Sequence, residues 1–115
     1  MAETVVVLVT VPTADAGGTI AVAAVEEGLA ACVNIVPGVR SIFRWEGRVQ
    51  DEPELLLLLK TTRERLGALE TRVRALHPYS VPEFIAVPVV AGHGPYLAWV
   101  AECVSAKGGG GPDQE

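Results

Sequence analysis

Cys32, Cys103, His77 and His93 are the soft metal-binding side chains of this 115-residue chain. Copper and zinc favour such groups. No Cys-x-x-Cys or His-x-x-x-His pair sets two of them at ligand spacing, however. Cys32 heads an apolar segment and reads first as a small buried hydrophobe, and Cys103 on an apolar helical face reads the same way. His77 stands directly before Pro78, where a helix must stop, so it serves equally as a cation on the helix dipole or as a ligand. His93, between two glycines, reads as a turn residue. One chain supplies no complete metal site, although symmetry could bring copies together.

A second group, Cys32, Trp45, Lys60, Tyr79, Glu83 and Trp99, combines polar tips with aromatic bodies. That mixture suits a ligand cleft near the end of a sheet. The competing and preferred reading is packing: the tryptophans at subunit contacts, capped by Tyr96, with Lys60 and Glu83 as an ion pair across adjacent strands. No glycine-rich phosphate loop follows a strand, and no nucleophile elbow occurs. The chain is therefore read as a protein without catalytic function.

Composition narrows the class. Half the residues are hydrophobic before the 12 glycines are counted, against roughly 45–50% with glycine included in an average domain. Only 20% are charged, with a net charge of −5. Disorder is excluded by that balance, and a nucleic-acid partner is disfavoured because no basic face is available. No apolar run reaches the length of a membrane span, and Glu3 in the first residues fits no secretory signal. Two distant cysteines make no disulfide framework. A cytoplasmic protein is expected. So small a domain cannot bury all its apolar residues in one core, so the surplus is expected between subunits.

The elements that position these residues follow from pattern. Thr4 to Val11 is a β-branched run suited to a central strand covered on both faces. Thr13 or Asp15 caps a helix running to about Leu29, in which Gly17 and Gly18 weaken the first turn. Cys32 to Trp45 is a strand bent at Pro37-Gly38. Glu46-Gly47 is a two-residue hairpin turn, and the return strand runs from Arg48 through Leu59, with Pro53 marking an edge or bulge. This register sets Trp45 opposite Arg48, Phe43 opposite Gln50 and Ser41 opposite Glu52. Thr61 and Glu64 have capping-box spacing ahead of a helix carrying Leu66, Leu69, Val73 and Leu76. Pro82 to Val90 is a further strand, and Pro95 opens a C-terminal helix. The order is an α+β, ferredoxin-like β-α-β-β-α-β sandwich with a long β-hairpin and an added C-terminal helix. It occupies residues 1–106 as one domain, and residues 107–115 form a flexible Gly-rich tail.

The successive segments LAACVNIVPGVRSIFRWEGRVQDEPELLLLLKTT, HPYSVPEFIAVPV and YLAWV resemble the CutA divalent-ion tolerance family, over about Val5 to Val104. The resemblance implies a tight homotrimer with the hairpin engaged between subunits. It also implies a role in tolerance to divalent metal ions, copper above all. Bacterial members that bind metal carry a cysteine in the first strand and a histidine pair before Pro-Tyr. Here those positions read Val9 and Leu76-His77, so of that set only His77 remains, and Ser80 replaces a commoner glutamate. Two alternatives stay open. One is a PII-like small-ligand signalling trimer, in which Arg40, Arg44 and Arg48 would meet an anion; their preferred reading is ion pairing with Asp51 and Glu52. The other is a purely structural trimeric scaffold.

Overall fold

The structure is a computed structural model that describes residues 2–105; the glycine-rich segment expected at residues 107–115 lies outside the described residues. Four strands, β1 (Thr4–Val11), β2 (Cys32–Trp45), β3 (Arg48–Thr62) and β4 (Ile85–Pro88), form one antiparallel sheet in the order β2-β3-β1-β4. Three helices, α1 (Ala14–Glu26), α2 (Leu66–Leu76) and α3 (Gly94–Cys103), complete the element order.

β1 is central, as its unbroken β-branched run predicts, but its faces differ. Val5, Val7, Val9 and Val11 are fully buried, whereas Val6, Leu8 and Thr10 are only half-buried. Of this row Val7, Val9 and Val11 share one core with Leu57 and Leu59 of β3, Ile20 and Ala24 of α1, and Leu69 and Val73 of α2. Both amphipathic helices therefore cover one face of the sheet. A smaller cluster joins Val100 and Val104 to Ala31, with Cys103 packed against it, in line with the packing expected of that cysteine.

Local chemistry accounts for the boundaries. The Thr13 hydroxyl accepts the Ala16 N–H at 3.1 Å, so Thr13 is the α1 cap. The helix stops at Glu26, short of Leu29, because Gly28 turns the chain at φ 70. Between β2 and β3, Glu46 and Gly47 both have positive φ, 52 and 77, as a primed two-residue turn requires. The hairpin register matches the pairing drawn from sequence, with one irregularity between Val36 and Val39 at Pro37-Gly38. Pro53 faces Arg40. It lies past Leu55, the last β3 residue paired with β1, where its missing N–H breaks no ladder on the open side. Beyond that point β2 and β3 continue as a two-stranded arm, and the molecule extends 49 × 27 × 23 Å.

Two expectations are corrected. Thr61 forms no capping box: it lies within β3, opposite Val5, and its buried hydroxyl donates to the Leu29 carbonyl at 2.8 Å. The chain enters α2 through a 3₁₀ turn, Arg63–Arg65, without a side-chain cap. The last strand spans only Ile85–Pro88 rather than Pro82 to Val90, since β1 pairs with it only from Val5 to Leu8.

Candidate functional site

The register of the arm decides what its inner face presents. Side chains alternate across a strand pair, so Phe43 and Trp45 share a face with Gln50, Glu52 and Glu54. The segment after α2 folds over that face, and His77 fixes it. Tyr79 N–H donates to His77 Nδ1 at 3.1 Å, which leaves the proton on Nε2 to be donated to the Thr10 carbonyl at 2.8 Å. The His77 and Tyr79 rings lean together with centroids 4.8 Å apart. Tyr79 is thereby aimed at the arm, and its hydroxyl donates to Glu54 Oε2 at 2.7 Å. The result is a groove of about 700 Å³ with Phe43, Trp45 and Tyr79 as its aromatic surface and Glu52, Glu54 and Glu83 as its charges.

The electrostatics of the groove are one-sided. Its lining includes no lysine, arginine or histidine. Glu54 is only 5% exposed and makes no ion pair among the described residues. Tyr79 is pushed up to about 12, first by desolvation, then by its bond to Glu54 and by the charges of Glu54 and Glu52. The Glu83 carboxyl is raised by desolvation and then by the neighbouring charge of Glu54.

A second polar cluster sits at the other end of the hairpin, where Cys32 pairs with Lys60. The Lys60 ammonium donates to Asn34 Oδ1 and lies 3.5 Å from Cys32 Sγ. Cys32 Sγ is also 3.5 Å from the Tyr96 hydroxyl, and Trp99 rests against Tyr96 with centroids 5.5 Å apart. Tyr96 is raised to about 12, chiefly by its bond to Cys32 and then by desolvation.

The six cleft candidates fall into two groups within one subunit. Trp45, Tyr79 and Glu83 line the groove, while Lys60 and Tyr96 flank the Cys32 sulfur and Trp99 rests on Tyr96. The expected Lys60–Glu83 ion pair does not form. Lys60 pairs with Val6 of β1, which in turn pairs with Val87. Glu83 precedes Ile85, the partner of Leu8, and so falls further along β1 beside Glu54. Glu54 itself escaped the sequence reading. Its signal was available, since the drawn register carries the Phe43 face on from Glu52 to Glu54.

His77 is buried with both ring nitrogens engaged. As a metal ligand it would have to give up one of these bonds. Val9 is fully buried in the core. Among the described residues no three His, Cys, Asp or Glu side chains are grouped to hold a metal ion. His93 caps α3, its carbonyl accepting from the Tyr96 and Leu97 N–H groups. On the outer face of the arm Arg40 grips both oxygens of Asp51 at 2.9 and 2.6 Å, the ion pair preferred over an anion site. No helix among the described residues is long and apolar enough to cross a membrane.

Comparison with known proteins agrees with this layout. The family model of the CutA1 divalent ion tolerance protein matches residues 5–103. The divalent-cation tolerance protein CutA of Thermus thermophilus is 57% identical over 97 residues, covering 84% of this chain and 94% of that protein. The chloroplastic protein CutA of Arabidopsis thaliana is 50% identical over 96 residues, but the chain spans only about half (53%) of that protein's length. The solved structure of the Thermus thermophilus protein superposes with a TM-score of 0.85 at 56% identity, covering 86% of this chain and 96% of that one.

Proposed function

The chain belongs to the CutA1 divalent ion tolerance family, and from that premise we propose that it acts without catalysis in tolerance or homeostasis of divalent cations, copper among them, as a cytoplasmic homotrimer of ferredoxin-like subunits. Strand order β2-β3-β1-β4 with two helices on one face supports the ferredoxin-like reading. Trimerisation is supported by two open sheet edges that carry exposed apolar residues, Ile35 and Val36 on β2 and Ile85 and Val87 on β4. Such edges invite pairing, and two different edges joined head to tail close a ring where the rotation between subunits closes. The outer face of the arm adds Ile42 and Val49, both more than half exposed.

The observation that carries the cation reading is Glu54, a buried carboxylate without a cationic partner among the described residues, beside Glu83 and Glu52 in one groove. A divalent cation drawn into the groove relieves like-charge repulsion, while the three carboxylates do not converge as one coordinating group among the described residues. The donors are all oxygen, a set that suits hard ions. The nitrogen and sulfur ligands that copper prefers are not gathered in one subunit: His77 is bonded on both sides and Cys32 lies at the other end of the hairpin. The residues therefore do not fit a resident copper centre, and the ion is treated as cargo drawn to an acidic groove.

Calorimetry of metal-free protein with Cu²⁺, Zn²⁺ and Mg²⁺, run on a size-calibrated peak, tests both parts. Saturable binding that weakens in Glu83→Gln is expected on a trimer-sized species. A monomeric mass would remove the trimer, and the lack of saturable binding by any of the three ions would remove direct cation handling.

A further inference from the structure

The groove has a property that a bare metal ion does not use. Three aromatic side chains line it: Phe43 and Trp45 from the arm and Tyr79 from the segment after α2. Metal coordination needs several converging donors, and no group of three is present among the described residues. Aromatic faces beside uncompensated carboxylates are instead the recognition chemistry of organic cations, whose charge meets the ring quadrupole while the hydrocarbon frame covers apolar surface.

We propose that this groove binds a small aliphatic amine in its ammonium form, held by Glu54 and Glu83 and packed against Trp45, Phe43 and Tyr79. Glu54 sets the polarity of the site. It is 5% exposed, and its Oε2 is occupied by the Tyr79 hydroxyl. Oε1 takes no protein donor among the described residues and is not one of the buried atoms left without a partner, so it opens to the groove and is left for a ligand N–H. An ammonium is the donor that both bonds this oxygen and neutralises its charge. Tyr79 cannot supply a second proton, having one hydroxyl already committed. Glu83 at the rim stands near enough to Glu54 to feel its charge, so a ligand with two or more ammonium groups engages both. The groove, at about 700 Å³, lies within the roughly 300–1,000 Å³ range of small-molecule sites. The inference goes beyond the divalent-cation reading and shares its groove, so the two are separated by changing the aromatic wall alone.

Spermidine is titrated into the full chain at low salt by calorimetry, with butane-1,4-diol and MgCl2 as parallel titrants. Fluorescence is followed in a Trp99→Phe background, in which Trp45 is the only tryptophan. Saturable spermidine binding at one per subunit is expected, with a change in Trp45 emission and no response to the diol. Glu54→Gln weakens it about 10- to 100-fold, the loss of one charge-assisted hydrogen bond. Because that variant touches a buried group, Trp45→Leu is the second arm. It removes the cation–π face without altering charge and weakens spermidine by about 3-fold or more, while Mg²⁺ binding stays unchanged. Spermidine binding that is matched by the diol, or unaltered in Trp45→Leu, overturns the proposal. Mg²⁺ binding without spermidine binding overturns it too, and leaves the divalent-cation reading standing.

Discussion

Replacing His77 by alanine separates a structural imidazole from a metal ligand. The ring is 7% exposed and joins two elements: the Thr10 carbonyl on β1 and the Tyr79 N–H after α2. Truncation leaves both backbone groups without partners, at about 1 kcal/mol each. The vacated imidazole volume adds a cavity cost of similar size, about 1 kcal/mol, below the roughly 3–5 kcal/mol of a fully buried aromatic. The sum is about 3 kcal/mol. At roughly 4–8 °C per kcal/mol for a domain of this length, the melting temperature falls by about 12–24 °C. The measurement is made in EDTA at fixed subunit concentration, since assembly makes melting concentration-dependent. His77→Gln, which can retain one of the two bonds, is expected to lose about half as much. The reasoning is refuted if His77→Ala melts with the wild type in EDTA and differs only after metal is added, because the ring would then act through a bound ion.

Two further perturbations test the groove and the first helix. Glu83 has a folded value above its ordinary one near 4.5, raised by desolvation and by Glu54. Between those values the fold holds a proton that the unfolded chain has released, so stability falls as pH rises through that window. Glu83→Gln should therefore be more stable than the wild type at pH 7, by no more than about 1 kcal/mol at so exposed a site. The advantage should vanish at pH 4 in urea titrations, and an equal advantage at both pH values would contradict it. In α1, a methyl group added at Gly18 meets nothing within 4 Å, whereas one at Gly17 meets Val11 at 3.2 Å and Leu57 at 3.3 Å. Gly18→Ala is expected to stabilise by about 1 kcal/mol. Gly17→Ala should gain less or lose, as read by denaturant midpoints, and the reverse order would refute the packing.

The elements were legible wherever neighbours in sequence decide the structure. Glu46-Gly47 with alternating flanks predicted the arm residue by residue, and Pro95 marked the start of α3. Thr61 misled because its spacing to Glu64 mimics a cap, while the buried Leu29 carbonyl, 32 residues away, claims its hydroxyl. The site was legible only in part. Trp45, Tyr79 and Glu83 were picked out by type; the distance of Trp45 from Cys32 and Lys60 follows from the hairpin, whose opposite ends they occupy, but that of Glu83 from Lys60 depends on where β4 docks along β1. That docking is a long-range event without a local pattern. Glu54 was hidden for a related reason. A carboxylate on a strand reads as a solvent-facing charge until the segment held by His77 is folded over it.

The arm also carries a consequence for how the chain folds. Trp45 and Arg48 are joined by a two-residue turn, and every further pair out to Cys32 and Lys60 adds to a hairpin already begun. Such zipping takes about 1–10 μs. β1, by contrast, must find Leu55 to Thr62 across more than forty intervening residues, a slower search. The face bearing Phe43, Trp45 and Glu54 is therefore assembled early, before β1 and the segment that carries Tyr79 close over it. Until then its aromatic residues are open to solvent, and the speed at which β1 docks governs how long a newly made chain exposes them to association with others.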